Sequence, residues 1–521
     1  MFGPSKTGIK MHRRVSFLVL VASICSLLLA ACGDATTPPA AATTAAATTA
    51  AASTATTAAA ATTAAAATTA ATATTAAAAA TTAAGGTATT AAAATTGAAA
   101  PAGATTGIKL NKNISGKVEL WHFWSSPVRR TAIRRVVAIC QQELPNIKIT
   151  ETFKPFGDLY TANTAAVAAG TGMADVIVED RPKLAAAAAN NIETNLQALA
   201  TRDGIDGSAY WPFTWQQTLY KGETYGIPFS TDTRMLYYSK NAFKEAGLDP
   251  EKPPTTWAEL EQIAPKLDKK AADGSYTRLG FSPLINGSWD MWATMNGAEY
   301  VNKDGKPIAN DPKVVEALNW MKKWIDSFGG FGNLDKFRNT FTSPPNDAFM
   351  SGKVAMITDI NGYVSQLNFY RPQVAKADGS GREALDWGIA NLPYNQTAQP
   401  SNYSGGFALS IPRGSKNQDA AWEFIKCATD QKAVASWARD TYEIPANIQA
   451  ANDPVLTADP NWILMLNALK TTKTIPFASQ YANYNQEVDK RQRDVFEGKK
   501  DAKAAMDEAQ QAIEAEIAKK K

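Results

Sequence analysis

The side chains in this sequence whose types and spacing could do chemistry are aromatic and carboxylate rather than histidine or cysteine. Trp121, Trp124, Trp211, Trp215, Trp289, Trp292 and Tyr363 all lie in or beside segments rich in Ser, Thr, Asn or Asp. That combination suits recognition of a sugar, because an aromatic face covers the C–H face of a pyranose while planar polar side chains hydrogen-bond its hydroxyls. Each ring taken singly is more readily a core residue. Group-transfer machinery is thin. His122 is the only histidine beyond the N-terminal leader, which excludes a His-rich metal site and barely allows a Ser/His/Asp triad. Its place at the end of an apolar strand suits a structural role. There is no G-x-x-x-x-G-K-[ST], no G-x-S-x-G and no C-x-x-C, and nothing requires a cofactor. Asp and Glu are plentiful, so residue inventory leaves a carboxylate-pair glycosidase open.

Residues 225–240 read YGIPFSTDTRMLYYSK. Two apolar, strand-like pieces, Tyr225 to Phe229 and Met235 to Tyr238, are interrupted by Ser230-Thr231-Asp232-Thr233-Arg234, with no Gly or Asn-Gly to make a tight turn. A hairpin is therefore not expected. A chain that stays extended but turns hydrophilic suits a passage between two compact bodies, leaving one at Phe229 and entering the other near Leu236.

The elements around these residues have a regular order. Strands are expected over Lys117–Trp124, Ile147–Thr152 and Asp175–Glu179, with helices over Arg129–Leu144 and Leu159–Ala169 between them. This alternation predicts a right-handed parallel α/β sheet with any site at the carboxyl ends of its strands. Further helices are expected over Thr256–Leu267, Pro312–Phe328, Asp419–Thr429 and Ala502–Ala518. A chain of 521 residues exceeds one compact core, so at least two lobes are expected.

The N-terminus reads differently. Basic residues Arg13 and Arg14 precede an apolar run, Val15 to Ala31, ending Leu29-Ala30-Ala31-Cys32. This is a signal peptide over residues 1–31, and the Leu-Ala-Ala-Cys pattern resembles a bacterial lipobox that would leave Cys32 lipidated. Removing residues 1–31 removes Lys6, Lys10, Arg13 and Arg14 and no acid, so the formal charge of +4 becomes neutral. Nothing in that balance points to nucleic acid. Residues 35–108 are almost entirely Ala and Thr without a single charge, and residues 32–108 read as an unstructured tether. About 70 residues of flexible chain span roughly 45–50 Å. Cys140 and Cys427 both fall in apolar helix stripes and read as small buried residues; a disulfide is permitted outside the cytoplasm but not required.

The ordered part resembles extracellular solute-binding protein family 1, the carbohydrate-binding subunits of bacterial ABC importers related to maltose-binding protein. The resemblance spans nearly all of residues 117–515. It is carried by VELWHFWSS, ELPNIKI, AAGTGMADVIVED, GIPFSTDTRMLYYSKNAFKEAGLDPEKPPTTWAEL, FMSGKVAMITDINGYV, YSGGFALSIPRGSKNQDAAWEFIK, EIPAN and EGKKDAKAAMDEAQQAI. Cys140 and Cys427 stand where that family often has Phe.

The resemblance implies an α/β, type II periplasmic-binding-protein-like fold. Two lobes, one of about 109–232 and 405–447 and the other of about 237–402 and 450–521, would be joined by a hinge with a ligand cleft between them. Crossings are expected near Thr231–Leu236, Tyr403–Gly406 and Ala446–Asp453. Carried over by motif, the first lobe would line the cleft with Trp124, Ser125, Asp180, Arg181 and Asp232. The second would supply Asn286, Trp289, Trp292, Asp359, Asn361, Tyr363 and Tyr484, while Gly405 and Gly406 would let backbone approach the ligand. Arg181 would pair with Asp180 or touch the ligand itself. The implied protein is a monomeric receptor, not an enzyme. It would be anchored outside the cytoplasm by lipidated Cys32, capturing a carbohydrate by lobe closure and presenting it to ABC permease subunits. A non-sugar solute such as glycerol 3-phosphate, a carboxylate-pair glycoside hydrolase and a sensory co-receptor are the alternatives.

Overall fold

The computed structural model describes residues 108–473 and 484–519. The expected signal peptide, Cys32 and the tether up to residue 107 lie outside the described residues. No helix among the described residues is long and apolar enough to cross a membrane.

Helix starts follow local chemistry. Ser126 caps the helix Pro127–Glu143 by accepting from the Arg129 amide, with Pro127 in the first turn, where a missing N–H costs nothing. Thr256 does the same for Trp257–Leu267 through the Glu259 amide, and the Glu259 carboxylate reaches back to Thr255. In Pro312–Ser327 the buried Val314, Ala317, Leu318, Met321, Trp324 and Ile325 recur at three and four, giving one apolar face to press on a core.

Two sheets organise the chain. The first has six strands in the spatial order Ile444–Pro445, Ile227–Thr231, Gly406–Ser410, Val176–Asp180, Gly116–His122 and Ile147–Phe153. Gly116–His122 runs parallel to both Ile147–Phe153 and Val176–Asp180, as the strand–helix alternation predicts. Gly406–Ser410 departs from that expectation and is antiparallel to both its neighbours. The reason is direction of travel: this strand returns from the second sheet, entering at the end where Ile227–Thr231 left. The second sheet has Arg234–Ser239 at its centre, antiparallel to Met356–Ile360 and Trp387–Asn391. The molecule is thus a two-lobed α/β protein.

Each lobe has its own core. Val118, Leu120, Ile133, Val136, Trp422 and Trp437 belong to the first, and Tyr237, Phe243, Trp257, Trp292, Trp320 and Met356 to the second. A disulfide joins Cys140 of Pro127–Glu143 to Cys427 of Gln418–Thr429, with Cα atoms 5.7 Å apart. The apolar stripes that marked these two positions as core also bring them together. The chain passes between sheets at Asp232–Thr233 and at Ser404–Gly405. A third passage follows Ile444–Pro445, where Ala450 packs in the first core and Ala451 in the second.

Candidate ligand cleft

The stretch that the sequence shows as a polar interruption is the first passage itself. Ile227–Thr231 ends one sheet and Arg234–Ser239 begins the other, so the crossing is two residues long, tighter than the Phe229-to-Leu236 span expected. Ser230, Thr231, Asp232 and Thr233 are buried. They are polar because the passage is pinned by side chains rather than by sheet partners alone. Asp232 Oδ1 accepts from the Gly405 amide at 3.1 Å, and the Thr233 amide donates to Asn361 Oδ1 at 3.0 Å. The Arg234 amide donates to Asn402 Oδ1 at 3.1 Å, and Thr231 Oγ1 meets Ser404 Oγ at 2.8 Å. Without these partners the buried amides would each cost about 1–3 kcal/mol.

Arg181 braces the same place. It follows Val176–Asp180, is fully buried, and donates to Gln217 Oε1 at 2.8 Å, to Thr231 Oγ1 at 2.9 Å and to the Gly405 carbonyl. Burial lowers its pKa to about 10, against the raising effect of Asp232 and Asp180. The ion partner of Asp180 is Lys183, at 3.2 Å, and burial raises the Asp180 pKa. Of the two expected roles of Arg181, pairing with Asp180 or touching the ligand, the ion pair falls to Lys183, while the charged guanidinium donates to three neutral oxygens. Gly406 is required by the same packing. It has φ +125°, and a Cβ there would lie 2.4 Å from the Ser230 carbonyl and 2.6 Å from Arg181 Nη2. The backbone that approaches closely at Gly406 is the neighbouring strand's.

Across the passage, Asp359 at the end of Met356–Ile360 accepts from Asn286 Nδ2 at 2.9 Å. Burial pushes its pKa up to about 6. Asn286 holds φ +59°, a left-handed conformation that Asn tolerates better than most residues. Arg234 lies 3.8 Å from Asp232 and over the Tyr403 ring at 5.8 Å, and Tyr403 donates to Asp290 Oδ2 at 3.0 Å. Asp290 stands in the first turn of Trp289–Met295, beside Trp289, whose indole donates to Asp489 Oδ1 at 2.8 Å. Trp289 and Asp290 line a cavity of about 460 Å³ together with Phe331, Arg338, Asp489 and Phe496. Asp290 thus connects this cavity to the Tyr403 hydroxyl, and the Tyr403 ring lies under the Arg234 guanidinium that faces Asp232 in the passage.

The other expected residues are placed differently. Trp292 is fully buried, packed near Trp257, Phe281 and Trp320, with its indole donating to the Pro283 carbonyl. Trp124 is buried 4.4 Å from Trp437, ring to ring. Tyr363 is buried and donates to Asp347 Oδ2. Tyr484 donates to the Ile308 carbonyl, and Asn361, besides holding Thr233, donates to the Tyr442 carbonyl. These groups build cores and the junction. Ser125 and Asn286 are exposed. His122 is structural, buried 2.7 Å from Glu151 Oε2 with a pKa lowered by burial.

Sequence reasoning missed a cluster at the carboxyl ends of the first sheet. Phe123 meets Phe156 and Phe407 edge-on, each at 4.8 Å, and Phe156 remains 42% exposed with Lys183 Nζ 4.8 Å from its ring centre. Phe123 directly follows the first strand, and that adjacency was the available signal. Phe156 opens a helix with no indication of its exposure in the chain.

Two α/β lobes joined by short passages, with charged and aromatic side chains gathered where the passages meet, define a bilobal ligand-binding protein. The sequence profile of the bacterial extracellular solute-binding proteins matches residues 130–435, more than half the chain, and the protein belongs to that family. The chain is 25% identical over 235 residues to putative binding proteins of Brucella abortus and Brucella suis and spans about half of their length, 52%. It is 28% identical over 328 residues to a maltooligosaccharide ABC transporter solute-binding lipoprotein of Streptococcus pneumoniae, covering 58% of this chain and 68% of that one. The structure of CpMnBP1 with mannotriose bound superimposes with a TM-score of 0.68 at 26% identity, covering 77% of this chain and 100% of that one.

Proposed function

We propose that this protein is the carbohydrate receptor of an ABC importer, anchored outside the cytoplasm through Cys32 and delivering its ligand to permease subunits. The observation that carries the reading is the 460 Å³ cavity in the second lobe, whose Asp290 accepts from Tyr403 just before the second passage. It combines aromatic side chains, Trp289, Phe331 and Phe496, with planar polar ones, Asp290, Asp489 and Arg338. Its size falls within the range of about 300–1,000 Å³ usual for small-molecule sites. The relatives whose names include maltooligosaccharide and mannotriose support the same class. We assign the sugar wall of the second lobe to Trp289 and Asp290. In the first lobe we assign it to the exposed Phe156 with Asp180 and Lys183, in preference to the buried Trp124. Asp232 and Arg234 join the two walls.

Titration calorimetry with maltotriose, mannotriose and glycerol 3-phosphate tests the class. A saturable heat with either trisaccharide is expected, together with a rise in melting temperature, since a ligand that binds only the folded state stabilises it. Trp289→Ala and Phe156→Ala should each weaken that binding by about tenfold or more, the scale of about 1.4 kcal/mol. Phe156→Ala should leave the ligand-free melting temperature in place. Binding of glycerol 3-phosphate alone would move the assignment to Arg338 and the neighbouring Arg493 as phosphate donors. Continuing release of reducing sugar would replace the receptor by a hydrolase. Cys32→Ala should release the protein from the membrane fraction.

A further inference from the structure

Behind the first lobe's lip, on the sheet face covered by Phe156–Ala169, polar side chains gather without a cation among them. Glu179 and Ile177 alternate onto one face of Val176–Asp180, and Ser410 stands opposite Ile177 on the next strand. Leu159 of the covering helix packs on Ile177 and Trp121, and the adjacent turn brings Tyr160 and Asn163. Glu193, bridged to Pro412, closes the chamber, with Asn163 Nδ2 donating to Glu193 Oε1 at 3.1 Å. Glu179 and Glu193 are each 3% exposed, Asn163 2% and Ser410 0%.

This chamber holds neutral donors but little positive charge. Among the described residues no ion pair includes Glu179 or Glu193; the nearest base, Lys183, is engaged with Asp180 and mostly exposed. The groups that face the Glu193 carboxylate are the neutral Ser410 hydroxyl and the Asn163 amide, and Asn163 Oδ1 has no hydrogen-bond partner. Two carboxylates that feel each other in a dry interior cannot both ionise cheaply. Burial pushes Glu193 up to about 7, and burial together with the charge of Glu193 raises Glu179 well above the usual carboxylate range. The other groups facing the pair are few. The strand Gly116–His122 presents Trp121 and, two residues back on the same face, Glu119, whose Oε1 accepts from the Trp121 indole at 2.8 Å. Phe156–Ala169 presents Tyr160 and Asn163, Gly406–Ser410 presents Ser410, and Asp180 adds a further negative charge.

We propose that Glu179 and Glu193 form a buried proton-binding site that holds one shared proton in the folded first lobe, so that the strand delivering Asp180 and Arg181 to the cleft is secured by protonation. The sign follows from linkage. Both groups bind protons more tightly folded than unfolded, so their contribution is fully present below the unfolded carboxylate pKa. It is lost as pH rises toward the folded value.

The test is urea unfolding of the full chain between about pH 5 and about pH 7, comparing wild type with Glu179→Gln/Glu193→Gln. For one shared proton, the wild-type folding constant should fall about tenfold more per pH unit than that of the double variant. The infrared carbonyl band of protonated carboxylic acid near neutrality should also shrink in the double variant. If the double variant does not fold, each single glutamine substitution carries the same infrared comparison. Equal pH slopes with an unchanged infrared band would overturn the proposal. So would stabilisation of wild type by sodium or calcium that the glutamine variants lose, which would give the chamber to a cation.

Discussion

Replacing Arg181 by methionine decides whether this guanidinium serves the ligand or the passage between lobes. It donates to three oxygens, Gln217 Oε1, Thr231 Oγ1 and the Gly405 carbonyl, and hydrogen bonds from a charged donor contribute about 1.5–3 kcal/mol each. The loss is smaller than their sum for two reasons. Ser404 Oγ still donates to the Gly405 carbonyl at 3.0 Å and stays 2.8 Å from Thr231 Oγ1, and methionine avoids the desolvation of a buried cation. Against that, Asp180 and Asp232 lose the positive charge between them. The net expectation is a destabilisation of about 2–4 kcal/mol, read as a lower urea midpoint at unchanged m-value. Arg181→Lys, which keeps the charge but not the fork, should fall between the two. A methionine variant within about 0.5 kcal/mol of wild type that nonetheless bound ligand poorly would refute the brace and return Arg181 to the ligand.

Two further outcomes follow from the same geometry. Cys140→Ser with Cys427→Ser opens a cross-link between residues 287 apart in sequence and should cost about 2–5 kcal/mol; a melting temperature insensitive to both the substitution and reductant would show the bond is not formed. Asp203 is held well below the usual carboxylate range, first by its hydrogen bond from Arg202, with Lys426 and Trp422 adding to it. A depressed pKa contributes stability above the unfolded value that is lost as pH falls through the folded one. Asp203→Asn should therefore cost about 1–3 kcal/mol near neutrality and flatten the acid side of the stability–pH curve, and an unchanged acid limb would count against that pairing.

Much of the scaffold is legible in the chain. The helices over Trp257–Leu267, Pro312–Ser327, Gln418–Thr429 and Ala502–Lys519 lie within a residue or two of where apolar spacing and caps put them, because amphipathic periodicity is a local property. The site was less legible. Trp124 and Trp292 carry the same sequence signal as Trp289, an aromatic residue in a polar segment, and all three are buried, yet of them Trp289 alone borders the 460 Å³ cavity. Phe156 and Phe407 carried no signal, because the face an aromatic ring presents is set by what packs on its other side.

By itself the sequence determined the two-lobed α/β class, the charge-free segment before the domain, the absence of histidine chemistry and the abrupt change of character at Ser230–Arg234. Tertiary structure decided what that change is for. The return of Gly406–Ser410 against its neighbours and the meeting of Asp232, Asn361 and Asn402 with their partners depend on contacts between residues more than a hundred positions apart, and Arg181 reaches Gly405 across 224. No local pattern encodes those contacts. The polar interruption is the passage between lobes that its sequence suits, and it is buried because its partners come from both lobes.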